Sequence, residues 1–155
     1  MTSQLNVDTI VDKAGTSGPS LPNTTTIKIG NTSTYVSEGG GATQNTVQGL
    51  AKFWIKHNDA ASVSDSFNQA STTDNGTGDY SHSFTNNMGG AGTYAMSGLA
   101  LAINDKATFI NGNSSNVDFT TSSFRYQTGY VANTSGAQTN HDCNATSPVV
   151  NGDLA

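Results

Sequence analysis

Residues 72–85 read TTDNGTGDYSHSFT, and the alternation in this stretch points to a β fold. Asn75-Gly76 supplies the left-handed backbone that a tight hairpin turn requires. Beyond the turn, Tyr80, His82 and Phe84 point to one side while Ser81, Ser83 and Thr85 point to the other. A period of two with one apolar face is the pattern of a half-buried strand. Upstream, SVSDSFNQAS (62–71) puts Val63, Asp65, Phe67 and Gln69 on one side and forms the other arm of the hairpin.

The same period runs outward in both directions. In GLAKFWIKHN (49–58), Ala51, Phe53, Ile55 and His57 share one face, and Leu50, Lys52, Trp54 and Lys56 share the other. TYAMSGLALAI (93–103) carries good helix formers, yet its alternation of small and apolar residues fits a strand buried on both faces. KATFI (106–110), NVDFT (116–120) and SSFRYQTGYVA (122–132) read as further strands, and Val149 and Val150 close the sheet near the end. About seven strands at roughly ten-residue spacing, joined by Gly/Asn turns, indicate an all-β antiparallel sandwich over residues 46–155. Ala51, Phe53, Ile55, Phe67, Tyr80 and Phe84 are the expected sheet core, and His57 and His82 are expected at a sheet surface.

Residues 1–45 read differently. Leu5, Val7, Ile10 and Val11 form a brief apolar patch that runs into AGTSGPSLPN, whose prolines cannot continue a helix or a central strand. Residues 24–37 place Ile27 and Ile29, then Tyr35 and Val36, as a small hairpin, and SEGGGATQN is a flexible joint by composition. The expectation is an extended amino-terminal arm with short strands, followed by the β domain.

Composition bounds the function. The 155 residues carry 6 Lys+Arg and 11 Asp+Glu, a net charge of −5, with one arginine, Arg125. Such a chain has no basic stripe to neutralise phosphates, which argues against nucleic acid as a partner. No apolar run reaches the roughly 18 residues of a membrane span, and the opening lacks the basic and apolar regions of an export signal. Cys143 is the lone cysteine, so no internal disulfide forms. Ser, Thr, Asn and Gly make up 74 residues, whereas Leu, Ile, Val and Phe number only 27, below the ~20% line under which disorder is suspected, although the modest charge density argues against disorder. So thin an apolar complement suggests a core shared with other copies of the chain.

Motifs of catalysis are missing: there is no GxxxxGK[ST], HExxH or GxSxG. The three histidines define no triad, and Glu38, the one glutamate, falls in the flexible joint. A polysaccharide depolymerase drawing a carboxylate pair from the ten aspartates is therefore the weaker alternative to a protein that is not an enzyme. Asp74–Asp79 resembles a calcium loop only superficially and reads as a Gly/Asx turn, and His141-Asp142-Cys143 reads as a partly buried thiol segment. No metal or other cofactor is expected. Trp54, Tyr126 and Tyr130 remain to be explained. Packing at a subunit interface is the favoured reading, with sugar contact and ordinary core as the alternatives.

Two stretches resemble a known family. SQLNVDTIVDKAGTSGPSLPN (3–23) is similar to the amino-terminal segment of tail-fibre-like virion proteins of marine bacteriophages, cyanophages above all. GLAKFWIKHN, the run through TDNGTGDYSHSFT and the ending VVNGDLA resemble the β domain of those fibres, with Lys56-His57 replacing the family's commoner Phe-Asn. The resemblance implies a non-enzymatic protein located in the virion and assembled as a homotrimer. Leu5, Val7, Ile10 and Val11 would dock on other virion proteins, of the tail or the capsid. The loops bearing Asp74, Asn75, Thr77 and Asp79, and then Asn86 and Asn87, would meet a host surface glycan or protein. A capsid decoration protein is the alternative placement.

Overall fold

The structure, a computed structural model, describes residues 29, 33–36, 43–101, 107–111, 119–132 and 135–155. Within them the order is β1 (Thr34–Val36), β2 (Thr43–Asn45), α1 (Thr46–Gly49, a single helical turn), β3 (Ala51–His57), β4 (Val63–Phe67), β5 (Gln69–Gly76) and β6 (Asp79–Phe84). There follow β7 (Tyr94–Leu101), β8 (Ala107–Asn111), β9 (Ser123–Val131), β10 (Gln138–Asn140) and β11 (Ala145–Gly152). The chain is all-β. Among the described residues no helix is long and apolar enough to cross a membrane. Leu5, Val7, Ile10 and Val11, Ile27 and most of the NVDFT segment lie outside the described residues.

Two antiparallel sheets face one another. One has the order β4-β3-β11-β7. The other has the order β10-β9-β6-β5, with β8 also paired to β9. Because β6 and β8 both pair with Gln127, and β8 and β10 both pair with residues 129–131, β6 and β10 lie end to end along one edge of β9 and β8 occupies the opposite edge. A separate ladder joins β1 to β2, Thr34 opposite Asn45, so Tyr35 and Val36 pair with residues 43 and 44.

The turn at residues 74–79 closes a hairpin as expected, with Asp74 opposite Tyr80 and Gly76 opposite Asp79, but its first arm is Gln69–Gly76, whereas Val63–Phe67 pairs with β3 in the other sheet. Its positive φ values fall on Gly76 (134°) and Gly78 (65°), not on Asn75. Alternation then builds the core: Phe53 and Ile55 of β3 and Val150 of β11 meet Tyr80 and Phe84 of β6 and Phe124 and Tyr126 of β9. Phe53 stands edge-on to Phe124 and Phe84, with ring centroids 5.0 and 5.5 Å away, the T-shaped geometry that aromatic quadrupoles favour.

Three expectations need correction. Ala51 is exposed, because a bulge at Val150/Asn151 shifts the register and turns Lys52 inward, where its ammonium donates to the carbonyls of Val47 and Leu50. Phe67 is exposed, since β4 sets it opposite Trp54 on the outer face. Residues 94–101 form a strand, but only one side is covered, and Leu99 and Leu101 point to solvent. The carboxy-terminal strand is central, with β3 on one side and β7 on the other. It carries Pro148, opposite Gly98. A Cβ at Gly98 would lie 2.8 Å from the proline's Cα, so glycine alone lets the two backbones come this close.

Candidate functional site

The residues singled out in the sequence fall in separate places. Asp74 is exposed, and its carboxylate accepts the Gly76 N–H at 2.9 Å, an Asx turn that shapes the hairpin. Asn75 folds back to donate to the Ser81 hydroxyl at 2.8 Å, and Thr77 stands at the tip. Asp79 does not face outward with them. It is nearly buried and takes a two-pronged contact from Arg125, Nε at 2.7 Å and Nη2 at 2.6 Å. Hydrogen bonding to that guanidinium holds its carboxyl below the usual range. Asn86 is exposed and tied to Asn68, whose side chain bridges the carbonyl of Lys52 and both backbone groups of Asn86. Asn87 is exposed beside it. The two expected contact loops sit at opposite ends of β6, about 17 Å apart at the usual rise per residue, so they do not form one tip.

Trp54, Tyr126 and Tyr130 do not share a surface either. Tyr126 is fully buried between the sheets, which removes it from any subunit contact. Tyr130 is half-buried with its ring 5.4 Å from that of His141. Trp54 alone reaches the outer face of the four-stranded sheet.

That outer face is the most distinctive surface described. A single cross-strand row runs Phe67–Trp54–Val149–Ser97 over all four strands. Leu99 and Leu101 extend it along β7, opposite Ser147 and Ala145. Phe67 is 52% exposed, Leu99 68% and Leu101 59%. Lys56 and Asp65 stand opposite each other just beyond the apolar row. Four strands spaced about 4.8 Å, each about seven residues long, give a footprint near 450 Å². The apolar row occupies part of that area, and exposed Phe67, Leu99 and Leu101 grouped on one sheet face make it a candidate contact surface.

Between the sheets lies a second feature, which alternation had implied but the surface expectation for the histidines missed. His57 and His82 are buried, on the same strand faces as Phe53, Ile55, Tyr80 and Phe84. His57 Nε2 lies 2.5 Å from the Tyr126 hydroxyl, and His82 Nε2 lies 3.1 Å from the same oxygen. His82 Nδ1 meets Thr72 Oγ1 at 3.0 Å, and His57 Nδ1 meets the Asn58 carbonyl at 2.8 Å. Burial lowers the pKa of both rings, that of His82 to about 3, and raises that of the Tyr126 phenol. Nearby, the Tyr80 hydroxyl sits 3.0 Å from both the Asp59 carbonyl and Asp142 Oδ1, and that carboxylate also accepts the Gly78 N–H.

The described residues hold no group of three or more metal-ligating side chains. The fold and this face define an antiparallel β-sandwich with one sheet covered by its partner sheet and an apolar row left open on its other side. No family model, curated protein or solved structure matches the chain.

Proposed function

We propose that the chain is a structural protein of a bacteriophage particle, a tail-fibre or tail-tip component that contributes to host attachment and performs no catalysis. The observation that carries this reading is the open apolar row Phe67–Trp54–Val149 with Leu99 and Leu101 beside it. Its occupant is a second copy of the chain. The sequence provides too few apolar residues for a self-sufficient core, yet spends several of its largest on this one face. Lys56 and Asp65 at the margin of the row offer opposite charges that neighbouring copies can meet head to tail around a three-fold axis. Three copies turning these faces toward a shared axis form the homotrimer.

The likeness of residues 3–23 and of the β domain to phage fibre proteins supports placing the assembly in the virion, with Leu5, Val7, Ile10 and Val11 docking on neighbouring virion proteins. The exposed tip residues Asp74, Asn75 and Thr77 at one end, or Asn86 and Asn87 at the other, then meet the host surface.

Sedimentation equilibrium of the full chain at micromolar concentration tests the assembly. The expected species has three times the 16.0 kDa chain mass, and Trp54→Lys with Phe67→Lys releases a folded monomer. A wild-type chain that sediments as a monomer refutes the reading. Counting copies in purified particles tests the placement: a few per tail are expected, and hundreds per capsid would assign the chain to capsid decoration instead.

A further inference from the structure

The chain from Thr72 through His82, Tyr126 and His57 to Asn58 admits one arrangement of protons with both rings neutral. A carbonyl only accepts, so His57 Nδ1–H donates to Asn58 and His57 Nε2 must accept. The Tyr126 O–H therefore donates to His57, and the phenol oxygen is left to accept from His82 Nε2–H. His82 Nδ1 then accepts from the Thr72 hydroxyl. Each contact fixes the next, and every polar atom on the path is satisfied.

His57 belongs to the four-stranded sheet, whereas Tyr126, His82 and Thr72 belong to the five-stranded one. The His57–Tyr126 contact is thus a polar bond across the sandwich. We propose that this chain is an acid-sensitive latch: the two imidazoles take up protons only when the contact between the sheets opens, so mildly acidic surroundings make that opening more frequent. A proton on His82 Nδ1 is accommodated only if Thr72 turns from donor to acceptor. A further proton on His57 Nε2 leaves two N–H groups aimed at the Tyr126 oxygen and the phenol proton without an acceptor, in a site walled by Phe53 and Phe124. Around the pair, the titratable groups are Tyr80 of β6 and Tyr126 of β9, Asp74 of β5, and Asp142 and Cys143 of the segment before β11. The hydrogen bonds of the two rings run to Asn58, Tyr126 and Thr72, and Asp74 acts on His57 through its charge. From β4 and β11 the facing partners of His57 are Val63 and Thr146, neither of which titrates. The latch does not depend on the assembly proposed above.

Opening exposes both rings to water, where imidazoles titrate near pH 6.5, so the open state binds up to two more protons than the closed one. Between pH 7 and pH 5 the opening constant then rises by up to about 600-fold, the limit in which neither ring takes a proton while closed. Urea unfolding of the full chain at pH 7, 6 and 5 measures this rise, and His82→Gln should lower it about 25-fold. Where that variant does not fold, nitrogen-15 spectra of the wild-type histidine rings decide. His57 should carry its proton on Nδ1 and His82 on Nε2, both neutral, from pH 7 to pH 5. A rise under tenfold, either ring charged at pH 6, or the opposite tautomers overturns the proposal.

Discussion

Phe53 and Trp54 are neighbours in sequence whose side chains meet opposite environments, so exchanging each for alanine separates the inner face from the outer. Phe53 is fully buried, edge-on to Phe84 and Phe124 and 5.8 Å from the His82 ring. A buried phenylalanine removes roughly 200 Å² from water, about 5 kcal/mol at 25 cal/mol per Å², and the alanine methyl keeps about 1 kcal/mol of that. The rigid sheets on both sides cannot collapse into the gap, so Phe53→Ala should cost about 4 kcal/mol, within the range for such truncations. For a domain of this size the melting temperature falls by about 15 °C. Trp54→Ala, by contrast, leaves no cavity inside the sandwich and should cost under about 1 kcal/mol in the isolated chain. Urea unfolding at pH 7, followed by tyrosine fluorescence at a concentration too low for self-association, reads both variants. The assignment of inner and outer faces fails if Phe53→Ala costs under about 1.5 kcal/mol or if Trp54→Ala costs as much as Phe53→Ala.

Three further outcomes follow from particular contacts. Gly129→Ala should sharply reduce soluble folded yield, measured by circular dichroism of the purified chain, because the new Cβ would lie 2.2 Å from the Thr139 carbonyl oxygen and 2.6 Å from Phe109. Asp79→Asn should lower stability by about 1–2 kcal/mol at pH 7, less than a fully buried pair because Arg125 retains some solvent contact. Since Arg125 holds the Asp79 carboxyl below its ordinary 3.8, the pair's contribution is present above that value and is lost as the pH falls below it, so the wild type and Asp79→Asn should converge in strong acid. Cys143 is fully buried with its thiol pKa raised by burial, so a thiol reagent at pH 8 should modify it only at the rate at which the native chain opens, and in urea at once.

Much of the sandwich was legible because period two is a local property. The Phe53/Ile55 and Tyr80/Phe84 faces, the hairpin and β9 required only alternation and a Gly-containing turn. What failed depended on partners far along the chain. Ala51 and Lys52 exchanged sides because β3 bulges at Lys52 where it pairs with Val150 and Asn151, a hundred residues away. Phe67 reads as inward because it is apolar, whereas pairing opposite Trp54 on an edge strand turns it outward. Residue type alone points His57 and His82 to a surface although their alternation puts them with the core residues, and burial is tolerated because Tyr126 serves both rings. Asp79 reads with the tip by proximity in sequence, and only the sheet pairing of β6 with β9 brings Arg125 to it. Tyr126 alternates with Phe124 and Thr128, and that pattern already favoured the interior over an interface.

The position of β11 governs how this chain must acquire its structure. Its residues pair with β3, some ninety positions earlier, and with β7, so the four-stranded sheet lacks its middle member until residue 152 has been synthesised. On the ribosome the hairpin of residues 69–84 can zip up early, but β3 and β7 remain unjoined edges with nothing between them. Folding must wait for late, long-range closure, which makes it slow and leaves the emerging polypeptide exposed to pairing with its neighbours on the same message.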